Sequence, residues 1–293
     1  MFDGFERTRI TTSGTTINLV HGGSGPPLLL LHGYPEMHLM WHKVAPRLAE
    51  DFTVVVPDLR GYGDSGKPQG DAEHHIYSKR AMAQDQVEVM QQLGHETFYL
   101  VGHDRGARVS HRLTLDHPER VRKLGVLDII PTHRMFQAET VNQAMATATY
   151  HWFFLIQPYD FPERVIGANP DYFLRYRFER MADYQTIFPP EVLDEYARCF
   201  SDPGTIHATC EDYRAGASID LVHDEADFGV NKITCPLFAL WSETGYMGRT
   251  NDVLAVWREY ATDVRGQSLP CGHYIPEEMP DEAYTLLRGF LTE

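Results

Sequence analysis

The sequence lacks the cysteine spacing of a zinc ribbon or a redox pair. Its four cysteines, Cys199, Cys210, Cys235 and Cys271, are scattered, and no CxxC occurs. Reduced thiols in a cytoplasmic protein are the reading that follows. HExxH and HxxEH spacings are also absent from a chain with 15 histidines, so no metal is expected. Long apolar runs are missing. Runs such as Pro26 to Leu31 suit a buried strand and fall far short of a membrane span. The stretch Met1 to Ile10 mixes charged, aromatic and polar residues, without the apolar core of a secretory signal. Positive charge is in deficit. With 26 Lys and Arg against 41 Asp and Glu, the formal net charge is −15, which offers no footprint for nucleic acid or an anionic membrane. Any anionic substrate must be drawn in by local cations, against the overall field.

What is present is enough for one large core, or for one core with a sizeable insertion: 293 residues, 43% of them hydrophobic. Short apolar runs at Pro27–Leu31, Thr53–Val56, Thr97–Val101 and Lys123–Leu127 read as buried strands. Between them, Arg80–Leu93 sets Ala83, Val87 and Met90 at helical spacing, and Ala107–Leu115 suits a helix after the turn at Gly106. Strand and helix in alternation predict an α/β fold with a mostly parallel central sheet wrapped by helices. From Thr132 to Asp224 the chain turns rich in aromatics, prolines and helical segments, with no clear strand. The alternation then resumes with a strand at Pro236–Trp241, a helix over Asn251–Ala261, a strand near Gln267–Leu269 and a helix over Asp281–Leu291. A helical block of that length is no ordinary connection. The expected organisation is a core of residues 1–131 and 225–293, with residues 132–224 inserted as a helical lid. No internal repeat and no low-complexity linker interrupts it.

Open α/β sheets place their chemistry at the carboxyl ends of the strands. After the strand ending in Val101 stands Gly102-His103-Asp104-Arg105-Gly106, the G-x-nucleophile-x-G elbow with Asp where esterases have Ser. Small residues are needed two before and two after the nucleophile because the strand-to-helix turn is tight. The following helix N-terminus favours the carboxylate form of Asp104, which is the nucleophilic one. Alone, the segment would also suit an Asp that merely caps a helix. Its context adds more. His32-Gly33-Tyr34-Pro35 follows the strand Leu28–Leu31, as expected of an oxyanion loop, with the backbone N–H groups of Tyr34 and Arg105 as donors. Asp58-Leu59-Arg60-Gly61-Tyr62-Gly63-Asp64-Ser65 forms a Gly-rich loop after another strand, and Gly272-His273 precedes the last helix. Together these motifs resemble the α/β-hydrolase superfamily over almost the whole chain.

An aspartate nucleophile displaces a leaving group at an sp³ carbon and forms an alkyl ester, which water activated by a histidine must then hydrolyse. His273 is the expected base. Asp128, at the end of the strand Leu124–Leu127, is the expected partner that orients its ring. Glu243, in Trp241-Ser242-Glu243, is the rival for that role, since many relatives carry the acid there.

Aspartate-elbow hydrolases include haloalkane dehalogenases, epoxide hydrolases and haloacetate dehalogenases. The first typically hold Trp just after the nucleophile, where this chain has Arg105. Epoxide hydrolases typically use two lid tyrosines; Tyr213 matches one, while Trp152 stands at the other, with Tyr150 two residues away. The chain resembles the haloacetate (fluoroacetate) dehalogenases most, through Asp104-Arg105-Gly106-Ala107-Arg108, the His151-Trp152 pair and Asp212-Tyr213-Arg214. That resemblance implies hydrolysis of a small anionic haloacid. Arg105 and Arg108 would bind its carboxylate, which a carboxylate nucleophile would otherwise repel. His151, Trp152 and Tyr213 would bind the departing halide. It also implies a homodimer and no bound cofactor, with epoxide hydrolysis as the alternative.

Overall fold

Strands that are apolar at every position must be covered on both faces. In the computed structural model, which describes residues 1–137, 141–181 and 183–293, Leu28–Leu31 and Val54–Val56 are fully buried. They belong to an eight-stranded sheet of order β1-β2-β4-β3-β5-β6-β7-β8. Its strands are β1 (Glu6–Thr11), β2 (Thr16–Gly23), β3 (Pro27–Leu31), β4 (Thr53–Pro57), β5 (Phe98–His103), β6 (Val121–Leu127), β7 (Leu237–Ser242) and β8 (Val264–Leu269). From β4 to β8 every pairing is parallel, and β1 and β2 add an antiparallel edge. The expected architecture, an α/β fold with a mostly parallel central sheet flanked by helices, is the one observed.

Register places the site. Leu31 pairs with Gly102, His103 with Leu127, Leu127 with Leu240, and Ser242 with Leu269. The residues that follow these strand ends therefore emerge along one edge: His32 to Tyr34, Asp104, Asp128, Glu243 and, after a short loop, His273.

Two stretches differ from the sequence expectation. β1 and β2 were not anticipated, because β1 (Glu-Arg-Thr-Arg-Ile-Thr) is an outer strand with mostly exposed side chains and offers no apolar run. β8 begins at Val264 rather than near Gln267; as the opposite edge strand it alternates half-buried and exposed residues. Between β6 and β7 the described residues form helices and no strand, among them Tyr150–Leu155, Pro170–Glu179, Pro190–Phe200, Pro203–Gly216 and Ile219–Asp227. Local chemistry starts them. Asn169 accepts a hydrogen bond from the Tyr172 N–H ahead of Pro170, and Asp202 accepts from the Gly204 and Thr205 N–H groups ahead of Pro203. Among the described residues no helix is long and apolar enough to cross a membrane.

Candidate active site

β5 passes into the helix Asp104–Asp116 without a connecting loop, so backbone segments meet at close range. A Cβ on Gly102 would lie 2.5 Å from Ser110 Oγ, and one on Gly106 would lie 2.4 Å from the His32 carbonyl oxygen. Glycine is required at both. Gly106→Ala is expected to destabilise the fold by about 1–3 kcal/mol through overpacking, read as a lower urea midpoint; an unchanged midpoint would mean that the turn opens freely. Asp104 itself has φ +44°, in the left-handed region that few side chains adopt. Its carboxylate faces a cavity of about 390 Å³ between the sheet edge and the helical segment above it.

The oxyanion loop is held from behind. The His32 Nδ1–H donates to the Gly33 carbonyl at 2.9 Å, and Nε2 accepts from the Leu59 N–H at 2.9 Å. That pairing needs a neutral ring, and burial lowers the His32 pKa to about 4. Asp58 accepts from both the backbone N–H and the ring of His38, at 2.8 and 2.7 Å. So braced, the Tyr34 N–H donates to Asp104 Oδ1 at 3.0 Å. The Arg105 N–H lies in the first turn of the helix, where amides have no intrahelical acceptor. Burial favours the neutral acid of Asp104, but His273, Arg108 and Arg105 outweigh it and hold the carboxyl well below the usual range. Asp104 is thus an ionised carboxylate in a sheltered cavity.

His273 lies beside it. Its Nε2 is 3.9 Å from Asp104 Oδ2, and its Nδ1–H donates to Asp128 Oδ2 at 2.6 Å. Asp128 has φ +52° and also accepts from the Ser242 N–H at 2.8 Å, which fixes its carboxylate. Glu243 is exposed, so Asp128 is the acid brought to His273 and Glu243 is not. Burial lowers the pKa of His273, but Asp128 and Asp104 raise it more, leaving it above the ordinary value.

The two expected arginines are treated differently. Arg108 lines the cavity; one nitrogen donates to the Ile130 carbonyl and the Thr132 hydroxyl at 3.0 and 2.9 Å, while its buried Nε has no partner among the described residues. Its guanidinium stacks 4.6 Å above the Trp152 ring. Arg105 instead makes a bidentate pair with Asp212, through Nε at 2.9 Å and Nη2 at 2.7 Å. Lys79 and the Tyr62 hydroxyl bind the same carboxylate. Only Nη1 of Arg105 has no hydrogen bond among the described residues.

His151, Trp152 and Tyr213 do come together. Ring centroids are 5.6 Å apart for His151 and Tyr213, and 5.9 Å for Trp152 and Tyr213. The Tyr213 hydroxyl is buried with no hydrogen-bond partner among the described residues. Burial, with Arg177 nearby, depresses the pKa of His151 far below its ordinary value, so the ring is neutral.

Sequence reasoning missed several neighbours. Asp212, the anchor of Arg105, adjoins Tyr213, and no local spacing links it to an arginine 107 residues earlier. Glu36, directly after Tyr34-Pro35, is buried against His103, with the carboxyl 3.4 Å from His103 Nδ1, and burial raises its pKa. Arg177, on the helix Pro170–Glu179, lines the cavity. No local motif marks it.

Comparison with known proteins places this geometry in context. Residues 26–280 match the family model of the alpha/beta hydrolase fold. The chain is 48% identical to a fluoroacetate dehalogenase of Burkholderia sp over 100% of its own length and 96% of that protein. It is 35% identical to a soluble epoxide hydrolase of Corynebacterium sp. (strain C12), over 92% and 91% of the two chains. The solved structure of ALR0039, an alpha/beta hydrolase from Nostoc sp PCC 7120, superposes with a TM-score of 0.97 at 61% identity, over the whole of both chains.

Proposed function

Because this chain belongs to the haloacetate dehalogenase family of the α/β-hydrolase superfamily, we propose that it hydrolyses the carbon–halogen bond of small haloacids, haloacetates being the simplest. The observation that carries this reading is one cavity walled by Asp104, Arg108, His151, Trp152 and His273. It joins a carboxylate nucleophile to a cation, to N–H donors and to a base.

Asp104 attacks the halogen-bearing carbon from the side opposite the halogen. A carbon–oxygen bond forms as the carbon–halogen bond breaks, and the halide leaves with the bonding pair. Arg108 and the Nη1 group of Arg105 hold the substrate carboxylate and cancel its repulsion by Asp104. His151, Trp152 and Tyr213 donate to the halide as its charge develops, which matters most for fluoride. His273 then takes a proton from water, whose oxygen attacks the carbonyl carbon of the ester. The N–H groups of Tyr34 and Arg105 stabilise the oxyanion, and its collapse returns Asp104 and releases the hydroxy acid. In this reading residues 132–224 act as the lid that shelters the reaction, and two copies of the chain form a dimer.

His273 works as a base only when neutral, so activity should rise with pH through its raised pKa. Asp128→Asn is expected to lower kcat about 10³- to 10⁴-fold by unfixing the ring. It should also move the acid limb of any residual activity to lower pH, since Asp128 does more than Asp104 to raise that pKa. A pH–rate profile checks both, and an unmoved limb would assign it to another group.

The reading is tested by following free halide from fluoroacetate and chloroacetate with the purified protein. No release from either acid by folded protein would sink it. Epoxide hydrolysis is the second reading, supported by Tyr150, which lines the cavity beside His151, and by the Corynebacterium relative. Turnover of an epoxide without halide release would bring it forward.

A further inference from the structure

The cavity is larger and more cationic than a haloacetate requires. Its volume of about 390 Å³ falls within the range of pockets that hold far bigger ligands. Its wall carries two carboxylates, Asp104 and Asp128, both facing His273. Against them stand three arginines: Arg108, Arg177 and Arg180. Arg108 rises from the elbow helix beside the nucleophile. Arg177 and Arg180 come from the other wall, at the end of the helix Pro170–Glu179 and just after it.

Arg177 makes no ion pair among the described residues. Its guanidinium lies 4.8 Å from the Tyr34 ring centroid, and its other polar neighbours include Tyr274, Tyr213, Tyr150, His151, His273 and the buried acid Glu36. Phenols are neutral near pH 7 and compensate no charge. Burial raises the pKa of Glu36, so that acid compensates Arg177 less than an ordinary carboxylate would. Neither Arg177 nor Arg180 pairs with a carboxylate among the described residues. The Arg177 Nε is buried and has no hydrogen-bond partner among the described residues. A guanidinium kept out of water without an anion is costly, and here it is held in the wall of the reaction cavity of a chain with net charge −15.

We propose that Arg177 receives a second anionic group of the substrate, so that the site prefers halo-dicarboxylic acids, with the halogen next to one carboxylate and the other carboxylate on Arg177. This deepens the dehalogenase reading and rests on it. The 2-halosuccinates are the simplest such acids with the two groups apart. Arg108 holds the carboxylate beside the reacting carbon, and Arg177 holds the far one. The chemistry is unchanged: Asp104 forms the ester, the halide leaves with its electron pair, and water hydrolyses the ester to a hydroxy-dicarboxylate and a proton. Arg180 also borders the outer depression formed with Tyr172 and Tyr176, where it attracts the dianion to the mouth.

The test compares chloride release from 2-chlorosuccinate and from chloroacetate by the wild type, Arg177→Met and Arg177→Lys. The wild type is expected to show at least about a 10-fold higher kcat/KM for chlorosuccinate. Arg177→Met should lower kcat/KM for chlorosuccinate about 10- to 100-fold more than for chloroacetate, mainly through KM, as loss of a charged hydrogen bond predicts. Arg177→Lys should restore most of the difference. Chloride from chloroacetate with none from chlorosuccinate, or an equal loss on both acids in Arg177→Met, would overturn the proposal and leave the dehalogenase reading intact. No chloride from either acid would overturn both. The wild-type ratio decides even if a variant fails to fold.

Discussion

Asp104→Asn is expected to stop halide release, with kcat falling by about 10⁴-fold or more while the circular dichroism spectrum stays that of the wild type. The amide keeps the size and shape of the side chain, so the Tyr34 N–H can still donate to its oxygen as it does to Asp104 at 3.0 Å. What it removes is the negative charge that attacks carbon. That charge is held in place by a left-handed backbone at φ +44°, a helix N-terminus and the neighbouring His273 and Arg108. Among the described residues the other acid in the cavity wall, Asp128, is tied to His273 and to the Ser242 N–H and does not replace it. Activity within 10-fold of the wild type would mean that water attacks the substrate directly, with Asp104 as an electrostatic bystander. Halide assays on matched amounts of folded protein separate these outcomes.

His273→Gln should fail at a different point. Alkylation of Asp104 needs no base, because the nucleophile is already ionised; only hydrolysis of the ester calls on His273. Steady-state turnover is expected to fall about 10³- to 10⁴-fold. One equivalent of halide should still be released, and the enzyme should gain the mass of the substrate's alkyl group on the peptide that contains Asp104. Intact-protein and peptide mass spectrometry measure this. An inactive variant that stays unmodified would show that His273 is needed for the first step. A fully active one would assign the base elsewhere. The geometry supports the first outcome, since Nε2 stands 3.9 Å from Asp104 Oδ2 and Nδ1 is fixed on Asp128.

Much of this was legible in the sequence for a physical reason. Tight turns at the carboxyl ends of parallel strands need particular residues at fixed spacing, and such residues form motifs. Gly102 and Gly106 are glycines because a Cβ would strike Ser110 Oγ or the His32 carbonyl, and they frame Asp104 as the elbow. The buried strands β3 and β4 announce themselves as unbroken apolar runs. Asp128 and His273 follow strand ends, so a correct strand reading carries them with it. The strands β1 and β8 at the sheet edges escaped in whole or in part, because one face of each meets solvent and dilutes the apolar signal.

The cavity wall was harder. Arg105 and Arg108 look equivalent in the chain, three positions apart on one helix, yet Arg105 is tied to Asp212, which lies 107 residues on. Nothing local in the sequence reveals that pairing. Arg177 shares its helix with Arg175, and only the fold distinguishes them: Arg175 pairs with Asp171 and Asp194, whereas Arg177 reaches the cavity without an ion pair among the described residues.

The central claim is that a carboxylate oxygen of Asp104, and not a water oxygen, bonds to the halogen-bearing carbon. A single turnover of chloroacetate by excess enzyme in ¹⁸O-enriched water tests it most directly. The account predicts glycolate whose new hydroxyl carries ordinary oxygen, with the heavy isotope appearing in the Asp104 side chain. Heavy oxygen in the glycolate hydroxyl on that first turnover, with none in Asp104, would contradict it.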